Sequence, residues 1–121
     1  MPPKPDLPSD LRQLLPLTPA VFYILFALAN GEKHGYAIMQ EVKTISGGEF
    51  TMGPGTLYTT IQRLLELSLI EETTTGSDTE RRRRCYRLSR AGRQVLEAEL
   101  SRMESLVRSA QRRKLVPHDA R

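Results

Sequence analysis

One cysteine, Cys85, is all the thiol chemistry the chain has, which excludes an internal disulfide framework and a cysteine-built zinc site. Histidine occurs only as His34 and His118, the second in a C-terminal tail, so no nucleophile–base–orienter set can be assembled. No glycine loop that would cradle a phosphate follows a strand. The adjacent acids Glu71 and Glu72 fall on opposite faces of an extended segment and cannot work as a carboxylate pair. Catalysis is therefore not expected, and neither a metal nor a cofactor is implied. Long apolar runs are also missing: the longest, residues 20–29, is far below the ~20 residues of a membrane span. The N-terminus lacks a basic head joined to an apolar signal segment, so a cytoplasmic protein without a membrane partner is expected.

Acidic side chains are scarce in one part of the chain only. Residues 1–80 carry 5 basic and 10 acidic side chains, whereas residues 81–121 carry 13 basic and 4 acidic ones, a change from −5 to +9. Such an unmixed distribution points to an anionic partner for the second part. With 121 residues, 39% of them apolar, the chain has material for one modest core and an appended helix or tail.

Six of the eight prolines lie within residues 1–19 and block regular structure there, leaving a tail in which only residues 9–15 suit a short helix, one that could dock on another surface. The first long helix is set by Thr18 as cap, Pro19 at its first position and Asn30-Gly31 as its stop. Its side chains are apolar nearly all round, so it is expected to bury against its own domain and, through Phe22 and Phe26, against a second subunit. A second helix runs from about Gly35 to Ile45, with Ile38, Val42 and Ile45 on one face, and stops at Gly47-Gly48. Gly53-Pro54-Gly55 starts a third helix whose Leu57, Ile61 and Leu64 point one way. Thr56, Thr59 and Arg63 point the other way. β-branched and alternating residues flanking a turn around Gly76 then predict a hairpin, with Arg84, Tyr86 and Leu88 on one face of its second strand. Cys85, on the other face, reads as an inert surface or boundary thiol. Ser89 caps a last helix that is expected to reach Leu115 before Pro117. Along it Leu96, Leu100, Met103, Val107 and Ala110 repeat at heptad spacing over about two heptads, too short a seam for a stable lone coil but suited to pairing between chains.

Three helices, a basic hairpin and a long helix make the layout of a winged helix-turn-helix, a mainly α fold with a small β-hairpin. In that fold the third helix lies in the DNA major groove and the hairpin follows the phosphates. The unmatched amides around Pro54, Gly55 and Thr56 at the helix start suit a phosphate. The run Arg81-Arg82-Arg83-Arg84 would meet phosphates from the wing.

The sequence resembles the PadR family of bacterial transcriptional regulators, in its shorter form with a single C-terminal helix. The resemblance is carried by His34-Gly35-Tyr36, Gly55-Thr56-Leu57-Tyr58, Arg63-Leu64, Leu69-Ile70-Glu71, and Tyr86-Arg87-Leu88-Ser89 followed by Gly92 and Leu96. Thr59 stands where the family usually has proline, Cys85 where an aromatic is common, and Ser89 in place of threonine. The tryptophan of some drug-binding relatives is absent. The resemblance implies a homodimeric repressor on a palindromic double-stranded operator, released by a small-molecule effector near the dimer interface.

The resulting expectation divides the chain into a proline-rich tail (1–17), a DNA-binding winged helix-turn-helix (18–88), a dimerisation helix (89–115) and a short tail (116–121). DNA contacts are expected from His34, Gly35, Tyr36, Pro54, Gly55, Thr56, Tyr58, Thr59, Arg63 and Arg81 to Arg84. The dimer is expected to use Phe22, Phe26, Leu96, Leu100, Met103, Val107 and Ala110. Some of these also have a plainer reading: the arginines as a solvated run, the tyrosines as core aromatics, His34 as a helix cap. A competing reading of the whole is a non-catalytic dimeric interaction module whose wing binds an acidic protein.

Overall fold

In the computed structural model, which describes residues 7–75 and 83–117, the chain runs α1 (Ser9–Arg12), α2 (Pro19–Ala27), β1 (Lys33–His34), α3 (Gly35–Ile45), α4 (Pro54–Glu66), β2 (Ile70–Thr75), β3 (Arg83–Leu88) and α5 (Arg90–Arg112). Local chemistry sets most of these boundaries. The Thr18 hydroxyl accepts from the Val21 amide at 3.3 Å, and Pro19 occupies a first position where a missing N–H costs nothing. Beyond α3, Gly47 and Gly48 take φ of +65° and +83°, which turns the chain sharply away from the helix axis. Ser89 accepts from the Gly92 amide at 3.0 Å and donates to the Ser68 carbonyl at 2.7 Å, so one hydroxyl caps α5 and ties it to the turn before β2.

The core lies where α2, α3, α4 and the start of α5 meet. Ile24 and Leu25 of α2, Ile38 and Val42 of α3, and Leu57 and Leu64 of α4 are fully buried there. Leu69 in the turn before β2, Tyr86 of β3, and Val95 and Leu96 of α5 close it. Approach at the α5 end is tight: a Cβ at Gly92 would collide with the Leu69 carbonyl oxygen.

Four features depart from the sequence-based expectation. The sheet has three antiparallel strands in the order β1-β3-β2, not the two of a hairpin, because Lys33 and His34 pair with Tyr86 and Cys85. A two-residue strand has no alternation to detect. Its presence makes β3 the central strand, with Cys85 between His34 and Thr73, and the thiol is buried, not at the surface. The N-terminal segment packs beyond the residues 9–15 that suit a docking helix: Leu7 is buried, and Leu17 lies against the core together with Leu11, Leu14 and Leu15. Finally, α5 ends at Arg112, and Lys114 at φ +63° turns the chain before Leu115 is reached.

Glu99 holds that N-terminal segment. It is the one charged side chain buried among the described residues. Its carboxylate accepts from the Leu17 amide at 3.0 Å and from two nitrogens of Arg102 at 2.7 and 3.0 Å. Those Arg102 hydrogen bonds hold the Glu99 carboxyl below the ordinary carboxylate range, against burial, which pushes it up; the Leu17 amide adds to the lowering.

Candidate nucleic-acid interface

Helix α4 divides cleanly into two faces. At about 100° per residue, Leu57, Ile61 and Leu64 turn into the core, while Thr56, Thr59, Gln62 and Arg63 stand exposed. Nothing in the packing requires the exposed side chains. Sequence reasoning missed Gln62, although its place three residues after Thr59 on the polar face was available as a signal. Thr59, Gln62 and Arg63 share a shallow open groove with Tyr58 and Glu66. Arg63 also borders a small pocket of about 80 Å³ walled by Leu14, Pro16, Leu17 and Leu67, where the N-terminal segment meets α4. Pro54 and Gly55 are exposed at the start of α4, and the N-cap, Gly53, offers no side-chain acceptor, so the first-turn amides open to solvent.

Beside that helix start lies a cleft of about 470 Å³ lined by His34, Gly35, Tyr36, Tyr58, Arg84 and Tyr86. It brings together residues from β1, α3, α4 and β3. His34 is half-buried and its Nδ1 accepts from the Ala37 amide at 3.4 Å, so the ring caps α3. Gly35 is buried, not presented to solvent; a Cβ there would collide with the Tyr58 hydroxyl, and glycine is what lets α4 approach α3 so closely. Tyr36 and Tyr58 are both largely exposed. The Tyr36 hydroxyl accepts from Gln40 Nε2 at 2.7 Å, which leaves its own proton to donate outward. Tyr86 forms the buried floor, its phenol pushed above the ordinary range by burial first and by the Glu72 carboxylate next. Arg84 is the exposed cation of the cleft, its side chain 78% accessible and its Nε 3.5 Å from Glu72 Oε2. The positive end of the α3 dipole points the same way.

The register of the hairpin sorts its charges by face. Glu72 lies opposite Tyr86 and shares the cleft side with Tyr86 and Arg84. Glu71 lies opposite Arg87 on the other side, and the two form an ion pair at 3.0 Å. Arg81 and Arg82 lie outside the described residues. Arg83 begins β3, where its backbone pairs with Thr75.

The residues expected at a dimer interface separate. Leu96 is buried within its own chain, because α5 still runs along the core at that point. Phe22 is half-buried and packs edge-to-face on Tyr23 and Phe26. Phe26, Leu100 and Val107 are exposed, and Met103 and Ala110 are partly covered. Leu106, which sits off the heptad seam, is 56% exposed and joins the same stretch. Among the described residues there is no cluster of three side chains able to hold a metal ion, and no helix is long and apolar enough to cross a membrane.

Residues 24–98 match the family described as Transcriptional regulator PadR-like family. The chain is 37% identical over 87 residues to an uncharacterized 37.1 kDa protein in transposon TN4556 of Streptomyces fradiae, covering 72% of this chain and 24% of that one. It is 30% identical over 83 residues to the transcriptional regulator YqjI of Escherichia coli K12, covering 69% and 38%. The chain thus spans about a quarter to two-fifths of the length of these curated relatives. A PadR family transcription regulator of Clostridium difficile R20291 shares the fold at a TM-score of 0.67 and 21% identity, over 78% of this chain and 97% of the other. PadR of Bacillus subtilis, solved in complex with operator DNA, superposes at a TM-score of 0.63 with 27% identity, over 70% of this chain and 47% of that one.

Proposed function

Because the chain belongs to the transcriptional regulator PadR-like family, whose members are regulators of transcription and not enzymes, we propose that it is a homodimeric repressor that reads a two-fold operator through the exposed face of α4. The single observation that carries this reading is the α4 face itself. Thr56, Thr59, Gln62 and Arg63 project from a helix whose other side is locked in the core, next to a cleft rich in hydroxyl and guanidinium donors. Short polar side chains and one arginine suit base edges in a major groove. The first-turn amides of α4, the hydroxyls of Tyr36 and Tyr58, and Arg84 suit phosphates on either side of it. The operator complex of the Bacillus subtilis relative supports the same use of this fold.

Dimerisation falls to the distal half of α5, where Leu100, Met103, Leu106 and Val107 form an apolar stretch. Phe22 and Phe26 of α2 extend the same role. A small-molecule effector that releases the operator completes the reading.

The test is a mobility shift on genomic DNA fragments with a salt titration. Replacing Arg81, Arg82, Arg83 and Arg84 together by alanine is expected to weaken binding to all sequences alike. The log–log salt slope should fall by ~0.9 for each phosphate that the wing no longer neutralises. No DNA binding by the wild type at low salt would overturn the reading in favour of an interaction module. An unchanged slope together with a loss of sequence preference would remove the wing from the phosphates.

A further inference from the structure

We propose that Glu72 is an electrostatic brake on DNA binding: its carboxylate holds Arg84 beside the cleft formed by Tyr36, Tyr58 and Tyr86 and opposes the phosphate that Arg84 would otherwise take. The inference rests on the DNA-binding reading above. It starts from the hairpin register, which puts Glu72 directly opposite Tyr86 and diagonal to Arg84 on the cleft face. The Arg84 Nε lies 3.5 Å from the Glu72 carboxylate. Arg84 is itself one of the residues lining the cleft. The pair does not hold the fold together: both side chains are substantially exposed, and exposed ion pairs of this kind contribute little to stability. Nor does Glu72 cap a helix or fill a cavity. What it does is place an anion within reach of the cation on the one face of the wing that looks toward α4.

The consequence is a reduced effective charge. A phosphate approaching Arg84 must displace Glu72 or share the guanidinium with it, and in either case meets a like charge. At a separation of several ångströms in a water-like dielectric, such repulsion is worth a factor of about three in affinity, and about ten for a two-fold dimer. Arg84 also contributes less to counterion release than an unpaired arginine would. The brake acts on backbone contacts only, so it lowers affinity for every DNA sequence without touching base choice. It keeps a strongly basic hairpin from adhering to DNA at large.

Glu71 provides the matched control. It is the neighbouring residue of the same strand, carries the same charge and is paired with Arg87 at 3.0 Å, but on the opposite face. Glu72→Gln and Glu71→Gln therefore change net charge equally and differ only in where the charge was. The experiment measures binding of wild type and both variants to a mixed-sequence DNA duplex across a salt series. The expected result is about three- to tenfold tighter binding by Glu72→Gln, with a salt slope steeper by up to ~0.9 per protomer. Glu71→Gln is expected to bind as the wild type does. Unchanged or weaker binding by Glu72→Gln overturns the brake, and so does an equal gain by Glu71→Gln, which would reduce the effect to net charge. A merely structural role for Glu72 predicts weaker binding, so the sign separates the two. Failure of the wild type to bind the duplex at all would instead bring down the DNA-binding reading on which the brake depends.

Discussion

Helix α5 is one continuous element with two different surroundings. In its first half Gly92, Val95, Leu96 and Glu99 are buried by their own chain, against Leu69, the core and the N-terminal segment. In its second half Leu106 and Val107 are 56% and 46% exposed, and the residues flanking them are polar and solvated. The apolar spacing is the same in both halves. Periodicity therefore reports that a stripe is to be covered, and only the fold tells which part of it the chain covers itself. Glu99 marks the boundary, where α5 is still anchored to the N-terminal segment through the Leu17 amide.

Substitutions in the two halves should separate assembly from folding. Val107→Lys is expected to have the largest effect. A charge placed in an apolar dimer interface costs several kcal/mol, so the variant should be monomeric by light scattering and lose operator affinity with it. Because Val107 is exposed in the single chain, its unfolding free energy as a monomer should stay within about 0.5 kcal/mol. A Val107→Lys protein that remains dimeric would show that the distal half of α5 faces something other than a second copy.

Gly92→Ala sharpens the contrast from the other side. The added methyl meets the Leu69 carbonyl, so the start of α5 must shift, at a cost of about 1–3 kcal/mol for overpacking of this kind. Thermal unfolding measures it, and self-association by light scattering should change far less than in Val107→Lys.

Glu99 should show itself in acid. Its carboxyl is held below the ordinary range in the folded chain, chiefly by the Arg102 hydrogen bonds. The stabilisation is therefore complete above the unfolded value of about 4.3 and disappears as pH falls through the lower folded value. A plot of melting temperature against pH should fall below about pH 4.3 in the wild type, and Glu99→Gln should flatten that limb. An identical acid limb in both proteins would show that Glu99 is not the group responsible.

Much of the architecture is legible in the sequence because the signals are local. Thr18-Pro19, Gly47-Gly48, Gly53-Pro54 and Ser89 are caps and breakers whose effect depends on their neighbours in sequence, and each marks a helix boundary in the structure. The two faces of α4 are legible for the same reason. What escapes detection is non-local. Strand β1 is two residues long and is defined by pairing with a strand about 50 residues away; the burial of Cys85 follows from that strand. The place where the N-terminal segment docks involves Glu99, which accepts from the amide of Leu17, 82 residues away, and a glutamate on an amphipathic helix gives no sign that it will be buried. The neighbours of Gly35 suggest a DNA surface, whereas its packing under Tyr58 depends on how α3 meets α4.

The central claim is that the outward face of α4 reads bases for a two-fold dimer, and a binding-site selection run in parallel on the wild type and Arg63→Ala tests it most directly. Thr56→Ala, Thr59→Ala and Arg63→Ala should each leave thermal stability within about 0.5 kcal/mol, since these side chains are exposed. The wild type is expected to return a palindrome whose half-sites lie roughly 10 base pairs apart centre to centre. Arg63→Ala is expected to lose information at mirror-related positions of both half-sites, corresponding to ~1–3 kcal/mol on the preferred sequence. The same motif with the same information content from both proteins would move base readout away from Arg63, and the absence of any two-fold motif would contradict the account itself.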